Sequence, residues 1–376
     1  MKLLMKNSLP EWAIKSIRKI RSSYKRYQKL LLKVVSRGPK GSPAVFYGYD
    51  RIPLPDEIIH GGLVKFQRMQ PVYPNQPRHF NILYMVSSSL PGNWHVLANI
   101  AKVKGSKIIW NQDGVAYPAW HKGDYEKVNA PMKYMIHHAD FVFYQSRFSK
   151  LSADKFLGET EKPWKILYNS VDTTVFTPAQ SHDDKVLSIL LGGNQYEGYR
   201  LEMALLTIAE VLKVNTAIHL YVTGNLSWDK PGIVETQVKT WINTLKLNEY
   251  VTFLGSYHQE DAPDLFKSMG ILLHTKYNDP CPGIVIEAMS CGVPVVYLSS
   301  GGVGELVGDK AGIGVEVPTR WDEIVLPEPA TIARAVNTIA ANRQQYAGEA
   351  RQRAVEKFDL QPWLEEHTQL FENLLN

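Results

Sequence analysis

The densest run of chemistry-bearing residues extends from His274 to Met289 and reads His-Thr-Lys-Tyr-Asn-Asp-Pro-Cys-Pro-Gly-Ile-Val-Ile-Glu-Ala-Met. An apolar run ending at His274 reads as a strand, Pro280 and Pro282 stiffen the loop after it, and a helix is expected to begin around Gly283. Such a start presents free backbone N–H groups and the positive end of the helix dipole, a natural seat for a diphosphate. Gly283 lets the phosphate approach without a side chain in the way, and Ile284 stands beside it in the same turn. Glu287, one turn further on, can accept two hydrogen bonds from a ribose diol. Asp279, about four residues ahead of the helix, is placed to reach a sugar beyond the phosphates. Taken alone, Asp279 and Glu287 read first as acids that favour a helix N-terminus, worth roughly a few tenths of a kcal/mol each.

The elements around this block alternate short apolar runs with helical patterns, the signature of parallel α/β units. Strands are expected at Ala44–Tyr47, Ile82–Ser87, Lys107–Trp110, Phe141–Tyr144 and Lys165–Tyr168, and again at Val186–Leu191, Ala217–Thr223, Tyr250–Leu254, Ile271–His274 and Val293–Tyr297. Helical patterns lie between them, and a last helical pair falls at about 329–355 and 361–375. A turn-rich polar stretch after Asn169 separates the two series. The division this implies is a basic segment 1–42, an N-terminal domain 43–172, a C-terminal domain 173–355 and a closing helix 356–376 that returns toward the N-terminal domain. Two doubly wound domains in series face each other across a cleft, where ligands collect at the carboxyl ends of the strands.

With 376 residues, 44% hydrophobic and 21% charged, the chain is long enough for two cored domains. Its two cysteines, Cys281 and Cys291, fit buried thiols of a reducing compartment better than a disulfide or a zinc site. The net charge of +5 is unevenly placed, because residues 1–40 hold 12 Lys or Arg and a single acid, Glu11. The positive charge therefore belongs to one end and gives no ground for nucleic-acid binding by the body. Within that end, Ser8-Leu9-Pro10-Glu11 reads as a helix start, and Ala13, Ile17, Ile20, Tyr24, Tyr27, Leu31 and Val34 form an apolar stripe flanked by lysine and arginine. Residues 8–37 suit an anionic membrane surface or packing against protein, and both readings stand open. No apolar run reaches about 18 residues, and the opening lacks a signal-peptide pattern, so a cytoplasmic protein is expected, with any membrane contact peripheral and at the inner face.

The motifs, in order, resemble glycosyltransferase family 4, retaining enzymes of the GT-B fold. Asp279 and Glu287 enclose seven residues, and Glu287 opens the run Glu-Ala-Met-Ser-Cys-Gly-Val-Pro-Val-Val to Val296. Ser300-Gly301-Gly302-Val303-Gly304-Glu305-Leu306-Val307 is similar to the family's Gly-Gly-x-x-Glu-x-Val turn, and Tyr168–Pro178 to its linker. The resemblance implies two Rossmann-like domains with the nucleotide sugar held in the C-terminal one. It further implies retention at the anomeric carbon and no bound metal or other cofactor, which agrees with the absence of any Asp-x-Asp triplet. Under it, Asp279 positions the donor sugar, while Gly193, Arg200, Gly283, Ile284 and Glu287 bind the donor. The sequence departs from the family at Leu191–Arg200, where Asn194 stands in place of an expected arginine and Arg200 is the only nearby cation.

In the N-terminal half, His60-Gly61-Gly62-Leu63 resembles the family's glycine loop, with Gly61 and Gly62 near donor phosphate and acceptor, though a plain helix-start glycine pair reads equally. Asp113, after Trp110-Asn111-Gln112, stands where relatives often keep a histidine. An acid there can bind a sugar hydroxyl, stabilise developing positive charge, or cap the next turn. The implied activity is transfer of a sugar from a nucleoside-diphosphate sugar to a glycan or lipid-linked acceptor, as in the building of bacterial surface polysaccharide. A nucleotide-sugar epimerase on the same scaffold and a non-catalytic binding module are the alternatives. An NAD-type oxidoreductase is disfavoured, because Gly192-Gly193 lacks the third glycine of the dinucleotide fingerprint.

Overall fold

The structure, a computed structural model, describes residues 32, 34–54, 56–57, 59, 61–180 and 185–376. Most of the basic stripe expected over 8–37 and His60 of the glycine loop lie outside the described residues. At the end of that stripe Ser36–Arg37 is a short strand rather than helix, paired in parallel with His79–Phe80.

The first half contributes β1 (Ser36–Arg37), β2 (Val45–Phe46), β3 (His79–Phe80), β4 (Ile82–Val86), β5 (Lys107–Gln112), β6 (Phe141–Tyr144) and β7 (Trp164–Ile166). Five of them form one parallel sheet in the order β2-β4-β5-β6-β7. All five residues of β4 are buried, as a strand covered on both faces by helices requires, and its sequence is an unbroken apolar run for the same reason.

The second half contributes β8 (Leu187–Leu191), β9 (Ile218–Thr223), β10 (Val251–Gly255), β11 (Ile271–His274), β12 (Val295–Leu298) and β13 (Gly312–Val315). They form a parallel sheet of order β10-β9-β8-β11-β12-β13, with the order reversing at β8 and β11. A doubly wound sheet places its ligand crevice at such a reversal. Both halves are therefore parallel α/β units, and together they form the GT-B fold that the motifs implied.

Most expected strands lie within a residue or two of those observed. The edge strand β13 is an exception, since its Gly-Ile-Gly-Val sequence carries two residues depleted from strands. The helical pattern expected over 329–355 divides at Asn342 into Pro329–Ala341 and Arg343–Phe358.

The last helix, Leu360–Leu375, is capped by Asp359, whose carboxylate accepts the Gln361 amide at 2.9 Å. Its Trp363, Leu364 and Phe371 join the core formed by Val45, Tyr47, Phe66 and Tyr84 of the first half. Full burial of such side chains stabilises by roughly 2 kcal/mol each, which anchors the C-terminus on the N-terminal sheet. The return crossing is marked by a parallel bridge between Val171 and Asp359.

Candidate functional site

The loop after β11 holds Asp279 from three sides. Gly302 donates its amide to Asp279 O at 2.8 Å, and a parallel bridge joins Asp279 to Gly301. A side chain at Gly302 would run into Pro280 O, so the glycine pair of the Gly-Gly-x-x-Glu turn is what permits this close approach. The Asp279 carboxylate lies 3.1 Å from His274 Nε2 and 3.2 Å from Lys276 Nζ. Burial works against its charge, but Lys276, His274 and Arg200 hold its carboxyl well below the usual carboxylate range. Burial lowers His274 from the ordinary histidine value.

Helix Gly283–Ser290 begins at Pro282 with no side chain capping it, and a Cβ on Gly283 would meet open space. The first turn therefore presents uncapped backbone donors beside an unobstructed approach. The Gly192-Gly193 loop after β8 packs directly on this turn, since a side chain at Gly192 would collide with Cδ1 of Ile284. Gly193 thus follows directly on the residue that packs against Ile284, which itself follows Gly283. Glu287, 7% exposed, accepts from Arg68 Nη2 at 2.9 Å and Gln259 Nε2 at 3.2 Å, both on Oε1. Gly193, Asn194, Tyr257 and Gln259 line an adjoining pocket of about 130 Å³.

Arg200 sits differently from a free cation at a helix start. It is buried, and it donates through Nη1 to Asn194 O at 2.8 Å and through Nη2 to Gly192 O at 3.2 Å. It braces the glycine loop from behind. Nor is it the only cation at hand, because Lys276 reaches the cleft from the loop after β11. Asn194, where an arginine was expected, uses its Oδ1 to accept the Asn225 amide at 2.8 Å, a link between two loops.

In the first half, helix Gly62–Met69 starts after Gly61 and packs against Ser88 and Ser89. The Ser88 hydroxyl donates to Asp113, which places the Gly61-Gly62 loop next to that acid. Asp113 Oδ1 also takes Lys65 Nζ at 2.7 Å and the Gln145 side-chain amide. Lys65 is buried, which pushes its ammonium down to about 7. It donates in addition to Asn111 Oδ1 at 2.9 Å. Asp113 therefore has donors on both carboxylate oxygens, Lys65 and Gln145 on Oδ1 and Ser88 on Oδ2.

Asp113 and Asp279, one from each half, line a single cavity of about 330 Å³ together with Gly114, Trp120 and Lys276. The halves are tied around it. Glu305 of the Gly-Gly-x-x-Glu turn accepts the amides of Arg147 at 2.8 Å and Phe148 at 2.9 Å, at the start of helix Arg147–Leu157 in the other half. Trp321 stacks on Phe148 with ring centroids 5.2 Å apart.

Sequence reasoning missed Lys65, Arg68, Gln145 and Gln259, whose partners lie far away in the chain. His274 and Lys276 had a signal, since both stand within five residues of Asp279. Among the described residues no group of three His, Cys, Asp or Glu is placed to hold a metal ion, and no helix is long and apolar enough to cross a membrane.

Residues 176–353 match the family described as glycosyl transferases group 1. The chain is 26% identical over 107 residues to mannosylfructose-phosphate synthase of Agrobacterium fabrum, covering 28% of this chain and 24% of that one. It is 27% identical over 179 residues to alpha-1,3/1,6-mannosyltransferase ALG2 of Homo sapiens, covering 44% and 43%. The chain spans less than half the length of the curated relatives it matches. Among solved structures, Anabaena HepE in complex with UDP-glucose aligns with a TM-score of 0.63 at 17% identity, over 78% of this chain and 79% of that one. Sucrose-phosphate synthase from Thermosynechococcus elongatus aligns with a TM-score of 0.65 at 15% identity, over 82% and 76%. Residues 176–353 are thus similar to the glycosyl transferases group 1 family, and the chain that carries them has the GT-B fold.

Proposed function

We propose that the chain is a retaining, metal-independent glycosyltransferase that moves a sugar from a nucleoside-diphosphate sugar to a glycan or lipid-linked acceptor. Its setting is the cytoplasm, in the building of bacterial surface polysaccharide, with residues 8–37 meeting the inner face of the membrane. The observation that carries the reading is the cavity shared by Asp113 and Asp279, flanked by an uncapped helix start at Gly283. In this reading the diphosphate rests on the amides of Gly283 and Ile284 and on the Gly193 loop that Arg200 braces. Glu287 takes the ribose diol, and Asp279, with Lys276 beside it, takes hydroxyls of the donor sugar. Charge developing on the departing diphosphate meets the helix dipole and Lys276. Asp113 accepts a hydroxyl on the acceptor side, next to the Gly61-Gly62 loop. The contacts made by Glu305 and Trp321 keep the halves together, which excludes water and limits hydrolysis.

The test is thermal stability against UDP, GDP, CDP, ADP and NAD, beside a Glu287→Ala variant. A ligand at about 100 times its dissociation constant stabilises by roughly 2.7 kcal/mol. One nucleoside diphosphate is expected to shift the wild type and not the variant. No shift, or a shift with NAD alone, overturns the donor site.

A further inference from the structure

Arg68 belongs to the N-terminal half, yet its guanidinium is spent on other parts of the molecule. Nη2 lies 2.9 Å from Glu287 Oε1 in the C-terminal half, and Nη1 donates to Ser170 O in the crossover between the halves. Both side chains of the ion pair are close to nine-tenths buried, with 13% of Arg68 and 9% of Glu287 exposed. A pair this buried is intolerant of losing one partner, because the other charge is then left without compensation. Gln259 donates to the same oxygen, Oε1, at 3.2 Å. Among the described residues nothing donates to Glu287 Oε2.

The planar guanidinium is suited to this position. Its two Nη groups diverge in a fixed fork and meet two acceptors at once, a carbonyl of the crossover and a carboxylate of the donor helix. A lysine ammonium at the same place meets one of them. Arg68 therefore touches the donor acid and the crossover while standing on the half that carries Asp113.

We propose that Arg68 is a positioning residue for donor recognition: it holds Glu287 by Oε1 so that Oε2 is offered to the ribose diol, and it does so only when the two halves are together. The inference rests on the reading of Glu287 as the ribose-binding acid. Its consequence is linkage. A nucleotide that uses Glu287 binds the closed arrangement more tightly than the open one, and so draws the N-terminal half onto the donor site. Arg68 needs no contact with the nucleotide to do this.

The test measures dissociation constants by calorimetry, with whichever of UDP, GDP, CDP or ADP the wild type binds, for Arg68→Met, Arg68→Lys, Glu287→Gln and the double variant Arg68→Met/Glu287→Gln. Donor KM and kcat are measured in parallel. Arg68→Met is expected to weaken nucleotide binding and raise donor KM about ten-fold, with a smaller change in kcat. Arg68→Lys recovers part of the loss. The double variant is no weaker than Glu287→Gln alone, because both changes act on one interaction.

Unchanged binding in Arg68→Met beside weakened binding in Glu287→Gln overturns the inference and leaves the donor site standing. Losses that simply add in the double variant overturn it as well. Unchanged binding in Glu287→Gln, or no binding of any of the four nucleotides by the wild type, overturns the donor-site reading and the inference with it. If Arg68→Met does not fold, Arg68→Lys against Glu287→Gln carries the same comparison.

Discussion

The Lys65 ammonium lies 2.7 Å from Asp113 Oδ1, and the two residues are 4% and 9% exposed. Lys65 stands one helical turn before Arg68, so a single short helix presents one cation to an acid of its own half and the next to an acid of the other. Removing one member of a buried pair strands the other charge. Lys65→Met is therefore expected to destabilise the protein by about 3 kcal/mol, while Lys65→Met/Asp113→Asn recovers most of that loss. Urea unfolding of the three proteins checks this, and a single variant as stable as the wild type would contradict it.

His367 sets a second expectation, about pH. Its ring is fully buried between Tyr84 OH, 3.0 Å from Nε2, and Trp363 O, 2.8 Å from Nδ1. Since a carbonyl only accepts, Nδ1 carries the proton and Nε2 accepts from Tyr84. Burial lowers the histidine to about 4. The unfolded chain then binds more protons than the folded one between about pH 6.5 and 4, so stability falls as pH drops through that window and levels off below it. The loss between pH 7 and 5 is about 2 kcal/mol from this residue. His367→Gln, which keeps an acceptor for Tyr84 without titrating, is expected to flatten the dependence. Thermal melts at both pH values decide it.

Glu305 caps a helix that belongs to the other half, through the amides of Arg147 and Phe148. Glu305→Ala leaves both donors without their partner and is expected to cost about 1–2 kcal/mol. Hydrogen exchange at those two amides should accelerate while β4 and β11 keep their protection. Equal protection in the variant would mean that the helix start does not depend on the C-terminal half.

Asp279 stays ionised through the neutral and mildly acid range because Lys276, His274 and Arg200 favour its charge. Its contribution to stability is in place above the unfolded carboxylate value near 4 and is lost as pH falls through the lower folded value. Lys276→Gln removes one of the supporting cations and is expected to move acid unfolding to higher pH. Asp279→Asn is expected to lower kcat about a hundred-fold. Circular dichroism during acid titration tests the first, and donor-turnover assays the second. An unchanged acid midpoint in Lys276→Gln would separate Lys276 from Asp279.

How much of this was legible before the fold was known follows from chain distance. Ile82–Val86 and Ile271–His274 are continuous apolar runs between turn signals, so their strands could be read locally. Asp279, Gly283, Ile284 and Glu287 fall on one loop and the helix it leads into, and their relative placement is set by that local geometry. The glycine-poor strands and the order of motifs were enough for the GT-B architecture, whereas β13, with two glycines in four residues, was not.

The partners of those residues were decided by tertiary structure alone. Nothing in Gly-Leu-Val-Lys-Phe-Gln-Arg-Met distinguishes a buried lysine and a buried arginine from two solvated ones. Their burial arises because the helix lies where both halves and the crossover converge, with Asp113 48 residues away in sequence and Glu287 219 residues away. Arg200 makes the same point in reverse, since it reads as a free cation and is turned inward onto the carbonyls of Gly192 and Asn194. Periodicity and backbone chemistry act over a few residues and are written in the sequence. Charge pairing in a desolvated interior depends on which distant segments exclude water together, and only the packed molecule sets that.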